Sequence, residues 1–371
     1  MRTITTTNYK MQYPNATHFA FVPAVIHLTD VAAYKQATVV VQSTTSARSY
    51  TETRDVFNGA VYFDVQRAIQ MCFDDNTRTE IDYLAKFTDN PLKHTVRVSV
   101  TLISDTGNMV IDDFLIDALW GYIRVGESSG GDMRRRWFVN YPFTVDVFTK
   151  YGDEFDITVN DGKSDGVIFY NQEADATGAT PYRRALLTPA QIFDITPVSE
   201  KIHIALPHGI VLKDDKESIG LTAYTLDIDR SEMSSKAVYL RWVDNQGRYC
   251  YYLFKTIGET YEYNAEEWLR NELGVPTAYV GSLNVASGVR QSFTEGRGIT
   301  LGARLVDEQT LTFLLTLNGS PIVDMFAGYD ADNMPMWQRV NVSTAKFERT
   351  TKPLQDFNVQ IVLPSAKLQS L

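Results

Sequence analysis

The chain has 371 residues, 44% of them hydrophobic and 22% charged, with a formal net charge of −10. That length builds sizeable cores without disulfides or metals, and the composition excludes a disordered or fibrous chain. The acidic balance opposes general binding to a phosphate backbone, so no sequence-specific nucleic-acid binding is expected. No apolar run reaches the roughly 18–20 residues of a membrane span, and Met1–Thr7 lacks the apolar core of a secretory signal. Neither membrane insertion nor export is therefore expected. Cys72 falls in an apolar helix pattern and Cys250 in an aromatic strand, which suits buried free thiols and folding in a reducing cytoplasm.

Along the chain, Phe19–Leu28 and Ala37–Val41 predict strands, Asn58-Gly59 a turn, and Ala60–Phe63 a further strand. Asp64 reads as the cap of a helix that places Val65, Ala68, Ile69, Cys72 and Phe73 on one stripe. Val96–Ile103 alternates, Thr106–Asn108 turns the chain, and Met109–Val125 resumes as strand. Residues 1–132 are thus expected to form a β-sandwich with one packed helix, ending in the small, polar run Glu127–Asp132.

Residues 133–235 predict a second β module with strands at Trp137–Phe148, Phe155–Val159, Gly166–Tyr170, Lys201–Leu206 and Leu221–Ile228. Thr188-Pro189 starts a short helix through Phe193. In residues 236–371 an aromatic hairpin, Val238–Phe254, turns at Asp244–Gly247. Asn264, with Glu267 as reciprocal partner, caps an expected helix Ala265–Leu273 that Gly274 and Pro276 close. Strands are expected at Leu311–Leu317, Gln338–Val342 and Asp356–Leu363. The fold class is mainly β (α+β): antiparallel β-sandwich or barrel modules with two or three short helices.

A strand as aromatic on both faces as the hairpin is either central to a core or half of an interface. Trp242 is expected in a structural core with Trp268 of the capped helix, while Tyr239 and Arg241, on the opposite face, are candidate interface residues. Arg134-Arg135-Arg136-Trp137 is the sharpest basic feature of an acidic chain. Consecutive strand residues alternate faces, so ion pairing within or between subunits fits the triplet better than one flat nucleic-acid patch.

No catalytic, metal or cofactor site is expected. Gly126–Gly130 matches the nucleophile-elbow spacing around Ser128, with His203 or His208 as a conceivable base, but no helix follows to support an elbow. The carboxylate clusters at Asp112-Asp113, Asp153–Asp156, Asp214-Asp215 and Asp227–Glu232 lack the spacing of a calcium loop. His18, His27, His94, His203 and His208 form no i, i+4 pair, and the Gly296–Gly302 glycines miss the dinucleotide fingerprint.

The hairpin, Arg54–Gln70 and the tail Ile361–Leu371 resemble tail structural proteins from phages and prophages of gut bacteria, closely in those three stretches and loosely over the whole chain. The group is similar to distal-tail or baseplate-hub proteins. The resemblance implies a non-enzymatic virion component that folds in the bacterial host cytoplasm and assembles into a ring with copies of itself and other tail proteins. It carries over no functional residue. The alternative reading is a tail-associated carbohydrate-binding adhesin whose exposed aromatic rings stack on sugars.

Overall fold

The computed structural model describes residues 1–73, 81–85, 87–122, 133–150, 154–160, 165–171, 182–189, 201–213, 216–230, 236–270, 288–343, 347–364 and 366–370. The chain is mainly β, with several antiparallel sheets and, among the described residues, two α-helices. It groups into two compact units. Unit 1 is Met1–Glu232 with Val243–Cys250 and Asp330–Pro335, and unit 2 is Met233–Trp242, Tyr251–Tyr329 and Met336–Leu371. The three consecutive modules drawn from the sequence thus regroup, because short segments from the C-terminal third belong to unit 1.

The N-terminal strands of unit 1 are β1 (Arg2–Thr5), β2 (Lys10–Tyr13), β3 (Thr17–Phe19), β4 (Val25–Thr29), β5 (Gln36–Ser43), β6 (Ser49–Asp55), β7 (Ala60–Asp64), β8 (Phe87–Asp89), β9 (Lys93–Ser104) and β10 (Gly107–Leu119). All but β8 form a four-stranded sheet β1-β2-β4-β7 and a five-stranded sheet β3-β10-β9-β5-β6, with β3 and β10 parallel. Alternation sets the inner faces. Met11, Ile26, Leu28 and Phe63 of the first sheet and Val39, Val41, Val96, Val98, Val100 and Leu102 of the second share one buried core.

Helix α1 (Gln66–Met71) adds the expected stripe, Val65, Ala68, Ile69, Cys72 and Phe73, to that core. Asp64 accepts from the backbone N–H groups of Gln66 and Ala24 through Oδ1, so it ties the helix entry to the loop before β4. The Asn58-Gly59 turn has positive φ at both residues, as a two-residue hairpin requires.

The rest of unit 1 is built from β11 (Met133–Phe138), β12 (Val145–Lys150), β13 (Glu154–Asn160), β14 (Asp165–Asn171), β15 (Tyr182–Leu187), β16 (Lys201–Lys213) and β17 (Lys216–Asp229). One sheet runs β11-β17-β16-β13-β14 and another β12-β15-β8. Strand β8 precedes residue 132 and pairs β15 beyond it, so a sheet crosses the boundary drawn there. The antiparallel expectation has a second exception in the parallel pair β11 and β17. Of the short helix expected after Thr188, residues 190–193 lie outside the described residues.

Unit 2 centres on an eight-stranded sheet containing β18 (Ala237–Val243), β19 (Tyr249–Arg270), β20 (Gly288–Asp307), β21 (Val323–Tyr329), β22 (Pro335–Arg339), β23 (Asn341–Val342), β24 (Leu354–Val362) and β25 (Ala366–Ser370). The predicted hairpin is β18 and β19, closed by Gly247 at φ +74° and by a Gly247 N–H bond to the Asp244 carbonyl.

Two expectations are overturned by this sheet. Residues 265–270 of the expected capped helix are strand, paired in register with 288–293 of β20, with bulges between Ala265 and Trp268 that give the run its irregular period. Residues 271–273 lie outside the described residues. Conversely, Leu311–Leu317, expected as strand, begins in helix α2 (Glu308–Leu315) and ends in a 3-10 turn. Asp307 accepts from the Thr310 N–H and caps α2, and Leu311 and Leu314 bury one stripe.

Candidate functional site

Tyr239 and Trp242, on opposite faces of the hairpin's first strand, are both buried within unit 2. Trp242 is fully buried, but its partner is α2: the indole N–H donates to Thr316 Oγ1 at 2.9 Å and the ring lies 5.1 Å from Phe313. Residues 265–270 of the expected partner helix are strand, and Trp268 sits on β19 opposite Arg290, its side chain outside the described portion.

On the other face Tyr239 is 1% exposed. It stacks on Tyr251 at 6.1 Å and meets Phe326 and Trp337 at 6.3 and 6.2 Å. Arg241 lies with its guanidinium 4.3 Å from the Trp337 ring centroid and pairs with Asp324 at 2.8 Å; Arg339 takes the other Asp324 oxygen at 2.6 Å. The Asp324 side chain is 5% exposed, so two cations hold a carboxylate that could not be buried alone. The interface assigned to Tyr239 and Arg241 is therefore corrected: β21 and β22, some eighty residues downstream, cover that face.

The arginine triplet lies on β11 and alternates as a strand must. Arg134 and Arg136 point to one face and pair with Asp227 and Asp229 of β17, while Trp137 is buried and stacks on Phe143. Arg134 to Arg136 pair in register with Thr225 to Asp227, so the basic strand is neutralised by the acidic one beside it. Ion pairing within the chain accounts for both outer arginines, and no basic surface patch results.

Arg135 faces the other way, into a half-buried cluster with Tyr224, Arg248, Asp244 and Cys250, where burial lowers its pKa. Asp244 accepts from the Gln246 and Arg248 N–H groups through Oδ1 and from Arg248 Nε through Oδ2 at 2.7 Å. Burial opposes the Arg248 charge, yet Asp244 beside it leaves its pKa raised. Burial also pushes the Cys250 thiol and the Tyr224 hydroxyl well up. Asp244 lies near both guanidiniums of this cluster, which suits a structural knot more than a reaction centre. Ser128, the elbow candidate, lies outside the described residues, as do Asp153, Asp214 and Asp215. Among the described residues no three His, Cys, Asp or Glu side chains group to hold a metal.

Two features are left exposed. The first is a ribbon in which β19 from Ile257 to Arg270 has β20 as its one partner strand among the described residues, while β20 pairs onward with β24 and β25. Ile257, Tyr261 and Tyr263 of that stretch are exposed, Tyr263 at 54%. Arg297 Nη2 and the Tyr261 hydroxyl both donate to Glu259 Oε2, at 2.9 and 2.6 Å, which pins the ribbon's strands side to side and lowers the Glu259 pKa, chiefly through the Tyr261 bond.

The second is a pocket of about 680 Å³ in unit 1, on the outer face of the first sheet. Gln12, His27 and Tyr62 lie in one cross-strand row over β2, β4 and β7, and the segment Pro14–Pro23 folds over them. Pro14, Phe19, Val22, Pro23 and Val25 make its walls apolar. His18 also lines it; its Nε2–H donates to the Val22 carbonyl at 3.0 Å, and burial lowers its pKa. Sequence reasoning treated these histidines as scattered. Nothing local marks them, because the row forms only when three strands align.

No family model matches the chain, and no curated protein matches it. Among the described residues no helix is long and apolar enough to cross a membrane.

Proposed function

We propose that the chain is a non-enzymatic structural component of a phage tail, a distal-tail or baseplate ring protein that acts by assembling with copies of itself and with other tail proteins. The observation that carries this reading is the outer side of β19. From Ile257 to Arg270 it runs roughly 45 Å at about 3.3 Å per residue, with β20 its one partner strand among the described residues and with Ile257, Tyr261 and Tyr263 exposed. Such an edge is an aggregation hazard in a free monomer and a ready pairing surface in an assembly. Its exposed residues are Ile257, Tyr261 and Tyr263 together with the polar Glu259, Thr260 and Glu262, and the tyrosines are of a type enriched at the centre of an interface.

The test is size-exclusion chromatography with light scattering and negative-stain imaging of wild type and of the double variant Ile257→Glu, Tyr263→Glu. Wild type is expected to form closed oligomers and the double variant to remain smaller with an unchanged melting temperature. A wild type that stays monomeric at high concentration and is missing from purified virions overturns the reading.

A further inference from the structure

The pocket of unit 1 has a chemistry of its own. None of its twelve lining residues is Asp, Glu, Lys or Arg. Four of them, Gln12, Asn15, Thr17 and His27, offer hydrogen-bonding side chains that have no partner among the described residues. Gln12, Asn15 and His27 are half-buried, so their polar groups can be reached from the pocket, while the Thr17 hydroxyl lies just beneath the lining, buried and with no hydrogen bond among the described residues. The volume falls within the roughly 300–1,000 Å³ of small-ligand sites.

We propose that this pocket binds a neutral saccharide unit. A sugar ring is uncharged, presents hydroxyls at its rim and C–H groups on its faces, and so needs amide, hydroxyl and imidazole partners set among apolar walls. The pocket has that combination. Adjacent strands are about 4.8 Å apart, so Gln12 and His27 stand at the separation of groups across one pyranose ring, with the Tyr62 ring, 60% exposed, next in the row. Arg54 lies over the outer part of Tyr62 at 5.1 Å and fixes the ring plane. The lining carries no cationic side chain, which leaves the Met1 α-ammonium as the one positive group for an anionic ligand, and a purely apolar ligand leaves the polar side chains unpaired. His18 stays uncharged at neutral pH, since burial and the Met1 α-ammonium both disfavour its protonation. The proposal is independent of assembly through the ribbon, and either can hold without the other.

The test is saturation-transfer-difference NMR on the full chain with the methyl glycosides of glucose, galactose, mannose and N-acetylglucosamine. Sialic acid, glucuronate and 1-octanol serve as the charged and apolar comparisons. At least one neutral glycoside is expected to receive saturation, and Gln12→Ala or His27→Ala is expected to weaken its binding about ten-fold. Both residues sit on a solvent-facing sheet surface, and Gln12→Glu, equal in size, serves as the check should either alanine variant melt early; it too is expected to weaken binding. Transfer only to the acidic sugars, transfer only to octanol, no transfer at all, or neutral-sugar binding indifferent to all three substitutions overturns the proposal.

Discussion

His18 shows how a single residue couples the pocket to the stability of its sandwich. Burial is the largest cause of its lowered pKa, and the Val22 hydrogen bond and the Asp64 charge offset it only in part. In the unfolded chain it titrates near 6.5. Below that pH the unfolded state binds the proton more readily than the folded one, so the stability due to a neutral His18 is complete above 6.5 and is lost as pH falls through the folded value. Replacing it with Gln removes the titration while keeping an amide N–H for the Val22 carbonyl. Between about pH 7 and 5 the melting temperature of wild type is expected to fall more steeply than that of His18→Gln. Thermal melts across that range decide it, and parallel slopes would show that His18 is not held neutral. The buried thiols lie at the opposite extreme. Cys72 and Cys250 are both buried and free, and the raised Cys250 pKa keeps the thiol protonated, so neither is placed for redox chemistry.

At the level of elements, the hairpin and α1 were legible because their signals are local. Gly247 supplies a left-handed position, Asp244 folds its carboxylate onto the turn, and Val65 to Phe73 repeat at helical spacing within one segment. The two misread elements mark where local signals compete. Asn264 and Glu267 fit a capping box and Trp268 and Leu269 a helix face, but pairing between β19 and β20 outweighs both, and β-bulges mimic a helical period. Leu311–Leu317 alternates with threonines like a strand, yet Asp307 caps it as α2. The site was less legible still. Tyr239 and Arg241 looked like an interface because Asp324 and Trp337, which cover them, are roughly eighty to a hundred residues away. The partnership of Trp242 with α2 gives the sharpest check on this arrangement. Trp242→Ala removes a fully buried ring together with the indole N–H that donates to Thr316 Oγ1, for an expected cost of about 3–5 kcal/mol. Trp242→Phe keeps most of the packing against Phe313 and loses the hydrogen bond, for about 1–2 kcal/mol. Urea unfolding of both variants measures the order, and equal costs would mean that the indole bond contributes nothing.

Across the whole molecule, units 1 and 2 are not successive along the chain. The backbone passes from one to the other at 232/233, 242/243, 250/251, 329/330 and 335/336. Unit 1 is consequently incomplete in any fragment that stops at residue 232, since it would lack Val243–Cys250. That segment contributes specific groups to unit 1. The Asn245 carbonyl accepts from the Tyr122 N–H at 2.6 Å, and Gly121, at φ +129°, packs so closely on it that a Cβ would meet the Asn245 oxygen at 2.6 Å. Asp244 and Arg248 complete the charge cluster around Arg135, whose cation would otherwise be left beside Tyr224 with no counter-charge from the turn. A backbone N–H that loses its acceptor exchanges with solvent whenever its surroundings open, and local opening follows the number of buried contacts that hold it. In the full chain the Tyr122 amide is expected to be protected from hydrogen exchange. In fragment 1–232 it should exchange at close to the unprotected rate, while Val98 and Val100, in the middle of β9 and remote from the missing segment in sequence and core, keep their protection. Exchange followed by mass spectrometry on peptides covering 98–100 and 120–122 separates the two. Protection of Tyr122 in the fragment equal to that in the full chain would show that unit 1 is complete without the hairpin turn.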